Sequence, residues 1–279
     1  MAWDLVVQGP ALERAHVERL RELAGAGSSD MQGAKCARLR GAGRRDGVAA
    51  YCEAARLDHA FVEAGRRLAD FRLLAMDMDS TLITIECIDE IADLRGIKRE
   101  VADITAAAMR GEIDFPESLR RRVALLAGLE EAALQRVYDE RLHLSPGAEL
   151  MLAGARRNGV KTLLVSGGFS FFTERLKSRL GLDFTLSNTL EVADGRLTGR
   201  VLGAIVDGAL KAARLRELAA GLGAAREQLI ALGDGANDLP MLAEAGVSIA
   251  YHAKPVVRSR ATYCLDHVGL DGLLAIFPG

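Results

Sequence analysis

The stretch Leu73-Leu74-Ala75-Met76-Asp77-Met78-Asp79-Ser80-Thr81 decides how the rest of the chain is read. Its apolar first half is a compact buried strand, and the run stops abruptly at two carboxylates separated by one residue. Where such a strand end bends, both carboxylates can point into one crevice. One can then act as a nucleophile and the other as a proton donor. Taken alone, the string also fits a plain cap, with Asp79, Ser80 and Thr81 closing a turn or a helix.

Moving outward, further buried strands are expected at 162–165, 229–232 and 247–250, each followed by a turn and mostly by a helical pattern. Strands alternating with helices imply a parallel sheet with helices on both faces, and such sheets bind ligands at the carboxyl ends of their strands. From Glu86 to about Leu144 the periodicity is helical throughout, which predicts a helical cap inserted after the first core strand. Two strand-like runs within 188–201 flank Asp194-Gly195, a hairpin turn signal. The first 70 residues read as a β-α-β-α segment, with strands near 5–7 and 35–39, helices near 12–23 and 48–69, and a loop at 25–33. That segment carries no catalytic constellation. The expected organisation is a small N-terminal α+β domain over 1–70 and an α/β, Rossmann-like domain over 71–279, with its cap at about 84–144.

Composition narrows the function classes. A formal net charge of -2 gives no reason to expect a nucleic acid or an anionic membrane as partner, and Arg120-Arg121-Arg122 sits among acidic residues. Charged residues interrupt every apolar stretch before it reaches membrane-spanning length, and Met1-Ala2-Trp3-Asp4 does not open a secretory signal. Cys36, Cys52, Cys87 and Cys264 are scattered with no Cys-x-x-Cys pair, which argues against a structural zinc site or a disulfide framework and fits a reduced cytoplasm.

Three more strings complete the first. Val165-Ser166-Gly167-Gly168-Phe169 runs from a strand into a small-residue turn, where a hydroxyl and exposed backbone N–H groups suit a phosphate, although a plain strand-to-helix joint looks the same. Lys211 stands at the start of a helical pattern, against the helix dipole, which hints at a purpose beyond a surface charge. In Gly233-Asp234-Gly235-Ala236-Asn237-Asp238-Leu239-Pro240, oxygen-bearing side chains cluster at a strand end and suit a hard cation, while Asp238 also fits a helix cap.

In this order and spacing the four strings resemble the haloacid dehalogenase (HAD) superfamily of aspartate-nucleophile phosphatases, over roughly 71–279. The string from Asp77 to Glu86, the cap string Phe115-Pro116-Glu117-Ser118-Leu119-Arg120-Arg121-Arg122-Val123 and the last string are similar to those of its phosphoserine phosphatase family. The resemblance implies hydrolysis of O-phospho-L-serine, the last step of serine biosynthesis, through an aspartyl phosphate on Asp77. It implies Asp79 as general acid and base and Lys211 as the cation beside the nucleophile. Mg2+ is expected on Asp77, the backbone carbonyl of Asp79 and Asp234. Ser166, Gly167 and Asn237 are expected at the phosphate end of the substrate, Glu86 on its ammonium and Arg122 on its carboxylate. Arg122 is preferred over Arg120 and Arg121 because it precedes the apolar Val123. The chemistry of a zwitterion agrees, since it needs one fixed anion and one guanidinium fork.

Three alternatives stand beside this expectation. One is a relative acting on another small phosphomonoester such as phosphohomoserine, and another is a phosphotransferase with an alcohol acceptor. The third, a non-catalytic regulatory protein, would be expected to have lost Asp77, Asp79, Lys211 or Asp234, and all four are present. The N-terminal segment resembles half of an ACT-like regulatory domain, so serine feedback and a homodimer through it are expectations by analogy.

Overall fold

The computed structural model describes residues 2–279. The N-terminal segment runs β1 (Trp3–Gln8), α1 (Arg14–Ala24), β2 (Ser28–Met31), β3 (Cys36–Arg40), α2 (Val48–Ala55) and β4 (Asp58–Glu63). Its antiparallel sheet has the order β2-β3-β1-β4, a ferredoxin-like βαββαβ arrangement. This corrects the β-α-β-α reading at two places. The helix expected over 48–69 stops at Arg56, which adopts φ 55° and caps α2, and the chain continues as a strand. The loop expected at 25–33 contains β2, an edge strand with no buried residue to announce it.

Alternation along β1 divides this sheet between two cores. Leu5 and Val7 pack with Val17 and Leu20 of α1 and Val48 and Cys52 of α2. Val6, Ala60 and Val62 point the other way and share a core with Leu270, Leu273, Ile276 and Phe277 at the far end of the chain.

The second sheet contains β5 (Leu73–Met76), β6 (Lys161–Phe169), β7 (Phe184–Ala193), β8 (Arg196–Leu202), β9 (Leu229–Gly233), β10 (Val247–Tyr251) and β11 (Tyr263–Leu265). Their order is β11-β10-β9-β5-β6-β7-β8, and every pair is parallel except the β7–β8 hairpin. That hairpin turns at Asp194 and Gly195 with φ of 50° and 70°, as the sequence signal required. Between β5 and β6 come α3 (Cys87–Arg95), α4 (Lys98–Met109), α5 (Phe115–Ala124) and α6 (Ala132–Glu140), which form the cap, and then α7 (Ala148–Arg157). The remaining helices are α8 (Ser170–Leu180), α9 (Gly208–Gly221), α10 (Leu239–Glu244), α11 (Pro255–Arg258) and α12 (Gly272–Ile276). Leu73, Ala75, Leu163 and Val165 bury against α9 and α10 on one face. Leu74, Met76 and Leu164 bury against α7 and α8 on the other. The fold is the expected α/β core with a helical cap and a small N-terminal α+β unit. Among the described residues no helix is long and apolar enough to cross a membrane.

Candidate active site

Strands β9, β5 and β6 are neighbours in the sheet, so the polar strings at their carboxyl ends open into one crevice. Asp77 follows β5 directly and is buried. Its Oδ1 accepts a hydrogen bond from the Met78 N–H at 2.7 Å and lies 2.8 Å from Lys211 Nζ. Lys211 is brought there by α9, whose first turn is capped by the Asp207 carboxylate on the Leu210 N–H. Its ammonium also donates to Asp238 Oδ1 at 2.8 Å, so one buried lysine is clamped between two buried carboxylates. This resolves the oddity of a lysine at a helix N-terminus: the carboxylates offset what the dipole opposes. Burial and the neighbouring Asp238 nevertheless push the Asp77 carboxyl well above the usual range, against the pull of Lys211.

Asp238 also shapes the loop after β9. Its Oδ2 accepts from the N–H groups of Asp234 and Gly235 at 3.1 and 3.0 Å. A Cβ at Gly233 would lie 2.5 Å from that same oxygen, so only glycine lets the carboxylate fold back over the strand end. Asp234 accepts from the Thr81 hydroxyl at 3.1 Å, and burial first, then Asp238, raises its carboxyl to about 6.

Asp79 lies beside this cluster, close enough for its charge to act on Asp77. Its Oδ1 accepts from the Cys87 N–H, the first of α3, at 3.0 Å. Burial, reinforced by the charge of Glu86, pushes its carboxyl up to about 7, a value suited to giving and taking a proton near neutrality. Glu86 stands at the mouth of the cleft and keeps an open face. The protein around it still crowds it enough to raise its pKa, which Ser80, Lys254 and Arg122 oppose. Arg122, on the half-buried side of α5, faces the charges of Asp89, Glu86 and Asp79 and donates from Nε to the Ser118 carbonyl at 3.3 Å. Arg120 and Arg121 are exposed, and Arg121 is paired with Glu117.

Ser166 is buried at the end of β6, and its Oγ accepts from the Gly168 N–H at 2.8 Å. A Cβ at Gly167 would lie 2.9 Å from Phe115 Cζ, so the cap comes down directly on this turn. Asn188 holds the turn from behind. Its amide donates to the Gly167 carbonyl at 2.7 Å and accepts from the Val206 N–H at 2.8 Å. Asn237 is exposed and reaches Asp238 only at 3.4 Å.

The structure thus brings Asp77, Asp79, Glu86, Arg122, Ser166, Gly167, Lys211 and Asp234 to one crevice and leaves Asn237 at its rim. Oxygens of Asp77, Asp234 and Asp238 lie within 4.8 Å of one another, an all-carboxylate set that could hold a metal. Burial first, and Asp238 second, raise the carboxyls of Asp77 and Asp234, and an all-oxygen set fits a hard divalent cation. Sequence reasoning gave no role to Asn188 or Lys254. The backbone N–H of Lys254 donates to the Asp234 carbonyl at 3.0 Å, and its charge acts on both Asp234 and Glu86. An isolated Asn or Lys carries no local signal of such contacts.

A family model for haloacid dehalogenase-like hydrolases matches residues 74–243, and with this strand-end geometry the chain belongs to that class of hydrolases. A phosphoserine phosphatase of Albidiferax ferrireducens is 56% identical over 216 residues, covering 76% of this chain and 91% of that protein. Within the HAD-like hydrolases the chain therefore belongs to the phosphoserine phosphatase family. A crystal structure of a HAD family hydrolase from Salmonella enterica superposes with a TM-score of 0.90 at 34% identity, covering 99% of both chains. That of a probable phosphoserine phosphatase from Vibrio cholerae gives 0.85 at 39% identity, over 99% of this chain and 85% of that one. A model described only as a domain of unknown function matches residues 5–48.

Proposed function

We propose that this protein hydrolyses O-phospho-L-serine to L-serine and phosphate, the last step of serine biosynthesis, in the cytoplasm. One observation carries the reading. A buried carboxylate clamped to Lys211 shares a crevice with Asp79, whose carboxyl is pushed up to about 7, and with Glu86 and Arg122, opposite charges that suit a zwitterion.

In this reading Asp77 attacks phosphorus in line, and the bond from phosphorus to the serine oxygen breaks as Asp79 gives that oxygen its proton. Asp79, now ionised, takes a proton from water, whose oxygen displaces Asp77 from phosphorus and releases phosphate. Lys211 offsets the negative charge of the phosphate and of Asp77. The Ser166 hydroxyl and the Gly167 N–H bind phosphate oxygens. Asn237, at the rim, serves the phosphate end, and Asp238 keeps Lys211 in place. Glu86 takes the substrate ammonium and Arg122 its carboxylate. Asp77, Asp234 and the carbonyl of Asp79 would hold Mg2+, which supplies further positive charge against the phosphate dianion. Phe115, seated on Gly167, closes the cleft against bulk water.

For residues 1–70 the proposal is a regulatory role. Serine inhibition of the full chain, with its mass in solution, tests it. The activity itself is tested by phosphate release from O-phospho-L-serine with Mg2+ and with EDTA, beside a panel of other phosphomonoesters. Metal-dependent preference for phosphoserine is expected, and broad activity without that preference discards the substrate. Arg122→Ala should raise KM for phosphoserine far more than for p-nitrophenyl phosphate; equal effects on both would remove Arg122 from the carboxylate site.

A further inference from the structure

Ser80 occupies a backbone position that serine rarely takes. Its φ of 55° and ψ of 2° are left-handed, the region glycine or asparagine fills most easily. The conformation is imposed by the turn around it. Asp79 before it is extended, the Ser80 N–H donates to the Ile85 carbonyl at 3.2 Å, and the Ile83 N–H donates to the Met78 carbonyl at 3.0 Å. This crossing of the loop over itself sets the Ser80 hydroxyl against the residue that precedes α3, and Ser80 Oγ donates to Glu86 Oε1 at 2.8 Å.

Glu86 is the N-cap residue of α3, where an acidic side chain would ordinarily turn back onto its own helix. It does not: its carboxylate makes no capping bond, and the first N–H of the helix, that of Cys87, is given to Asp79 instead. Among the described residues, Ser80 is the only hydrogen-bond donor to the Glu86 side chain. One carboxylate oxygen is held, and among the described residues the other accepts no hydrogen bond.

We propose that Ser80 is a positioning residue for substrate selection: its hydroxyl aims Glu86 at the ammonium of the substrate and so helps the site prefer amine-bearing phosphomonoesters. The inference rests on the reading of Glu86 as the ammonium anchor. It also explains why a non-glycine residue sits at a left-handed position, since glycine would relieve the backbone but could not hold the carboxylate.

The test compares Ser80→Ala, Ser80→Gly and Glu86→Gln in the full chain, with O-phospho-L-serine and p-nitrophenyl phosphate as substrates. Loss of a hydrogen bond to a charged group is worth about tenfold or more, so both Ser80 variants should lower the ratio of kcat/KM for phosphoserine over p-nitrophenyl phosphate by about that factor. The loss should fall on KM rather than kcat. Ser80→Gly guards against misfolding, because it removes the hydroxyl while easing the backbone. If both substrates lose equally, Ser80 only shapes the loop and the proposal is overturned. It is equally overturned if Ser80→Gly keeps the wild-type ratio while Glu86→Gln loses it. If Glu86→Gln itself keeps the ratio, the ammonium anchor is wrong, and the proposal falls with it.

Discussion

Replacing Lys211 by Met keeps the length of the side chain and removes its charge from the centre of the crevice. The lysine, Asp77 and Asp238 side chains are 1%, 7% and 0% exposed, so water cannot take over the role of the ammonium. Breaking a buried ion pair from one side costs about 3–5 kcal/mol, because the remaining charge is stranded. Here two carboxylates are stranded at once, and protonation of Asp77 relieves the loss. Burial and Asp238 already hold the Asp77 carboxyl well above its ordinary value with Lys211 in place, and removing the lysine lifts it further. A carboxyl raised on folding takes up a proton as the chain folds. Its cost is therefore absent below the unfolded pKa, grows with pH and is full above the folded pKa, at about 1.4 kcal/mol per pH unit for one proton.

Lys211 itself has its pKa lowered by burial and raised by more through Asp238 and Asp77. With its folded pKa above the unfolded one, the lysine stabilises fully below the unfolded value and loses effect only in strong alkali, so it adds no slope near neutrality. The metal-free Lys211→Met protein should thus be several kcal/mol less stable than wild type at pH 7.5 and recover a good part of that loss at pH 5.5. Urea unfolding in EDTA at both values measures it. A variant within about 1 kcal/mol of wild type at pH 7.5, or one equally destabilised at both pH values, would refute the clamp as the origin of the site's charge balance.

Asp79→Asn should lower kcat by roughly 10²–10⁴-fold, as for loss of a general acid and base. In the proposed mechanism Asp79 is protonated for the first step, and its carboxyl is pushed up to about 7, so wild-type kcat/KM should fall above that pH, and the limb should be missing from the residual activity of the variant. Gly168→Ala would place a Cβ 2.7 Å from Asp79 Oδ2 and 2.9 Å from Met78 Cε. The displaced carboxylate should cost about 10²-fold in kcat with the urea midpoint little changed, and normal kinetics would show that Asp79 tolerates the shift. Asp58→Ala strands the N–H groups of Asp266, His267 and Val268, and should lower unfolding stability by about 3 kcal/mol with KM within about twofold of wild type.

What the sequence made legible follows from how far each signal reaches along the chain. Strands β5, β6, β9 and β10 are buried on both faces and read as short apolar runs, so the core could be placed from local strings, and with it the strand ends that carry the candidate site. Arg122 could be separated from its neighbours because Ser118, Leu119 and Val123 form the buried side of α5, which turns Arg122 inward and leaves Arg120 and Arg121 to solvent. The failures are of another kind. β4 follows an alanine-containing helix without a proline or glycine between them, and the left-handed break at Arg56 has no signature. Asn188, Lys254 and Asp58 act on backbone groups far along the chain or across the sheet, and only the folded structure shows which amides and carbonyls need a partner.

Those backbone contacts also decide how the N-terminal unit relates to the catalytic one. Asp58 gathers three N–H groups of the segment after β11, Arg38 donates to the carbonyls of Ala275 and Ile276, and Gln8 donates to that of Gly272. Together with the core shared by Val6, Ala60 and Val62 with Leu273 and Phe277, these contacts cover the β1 and β4 part of one face of the N-terminal sheet and leave β2 exposed. These contacts leave the helical face and the free edge of β2 open, whereas β1 and β4 pack on the catalytic domain. On the catalytic side, β11 pairs with β10, and the turn that follows β10 presents the Lys254 N–H to the Asp234 carbonyl. The N-terminal sheet thus packs, through β4, against β11, the strand next to the one whose following turn holds the Asp234 carbonyl.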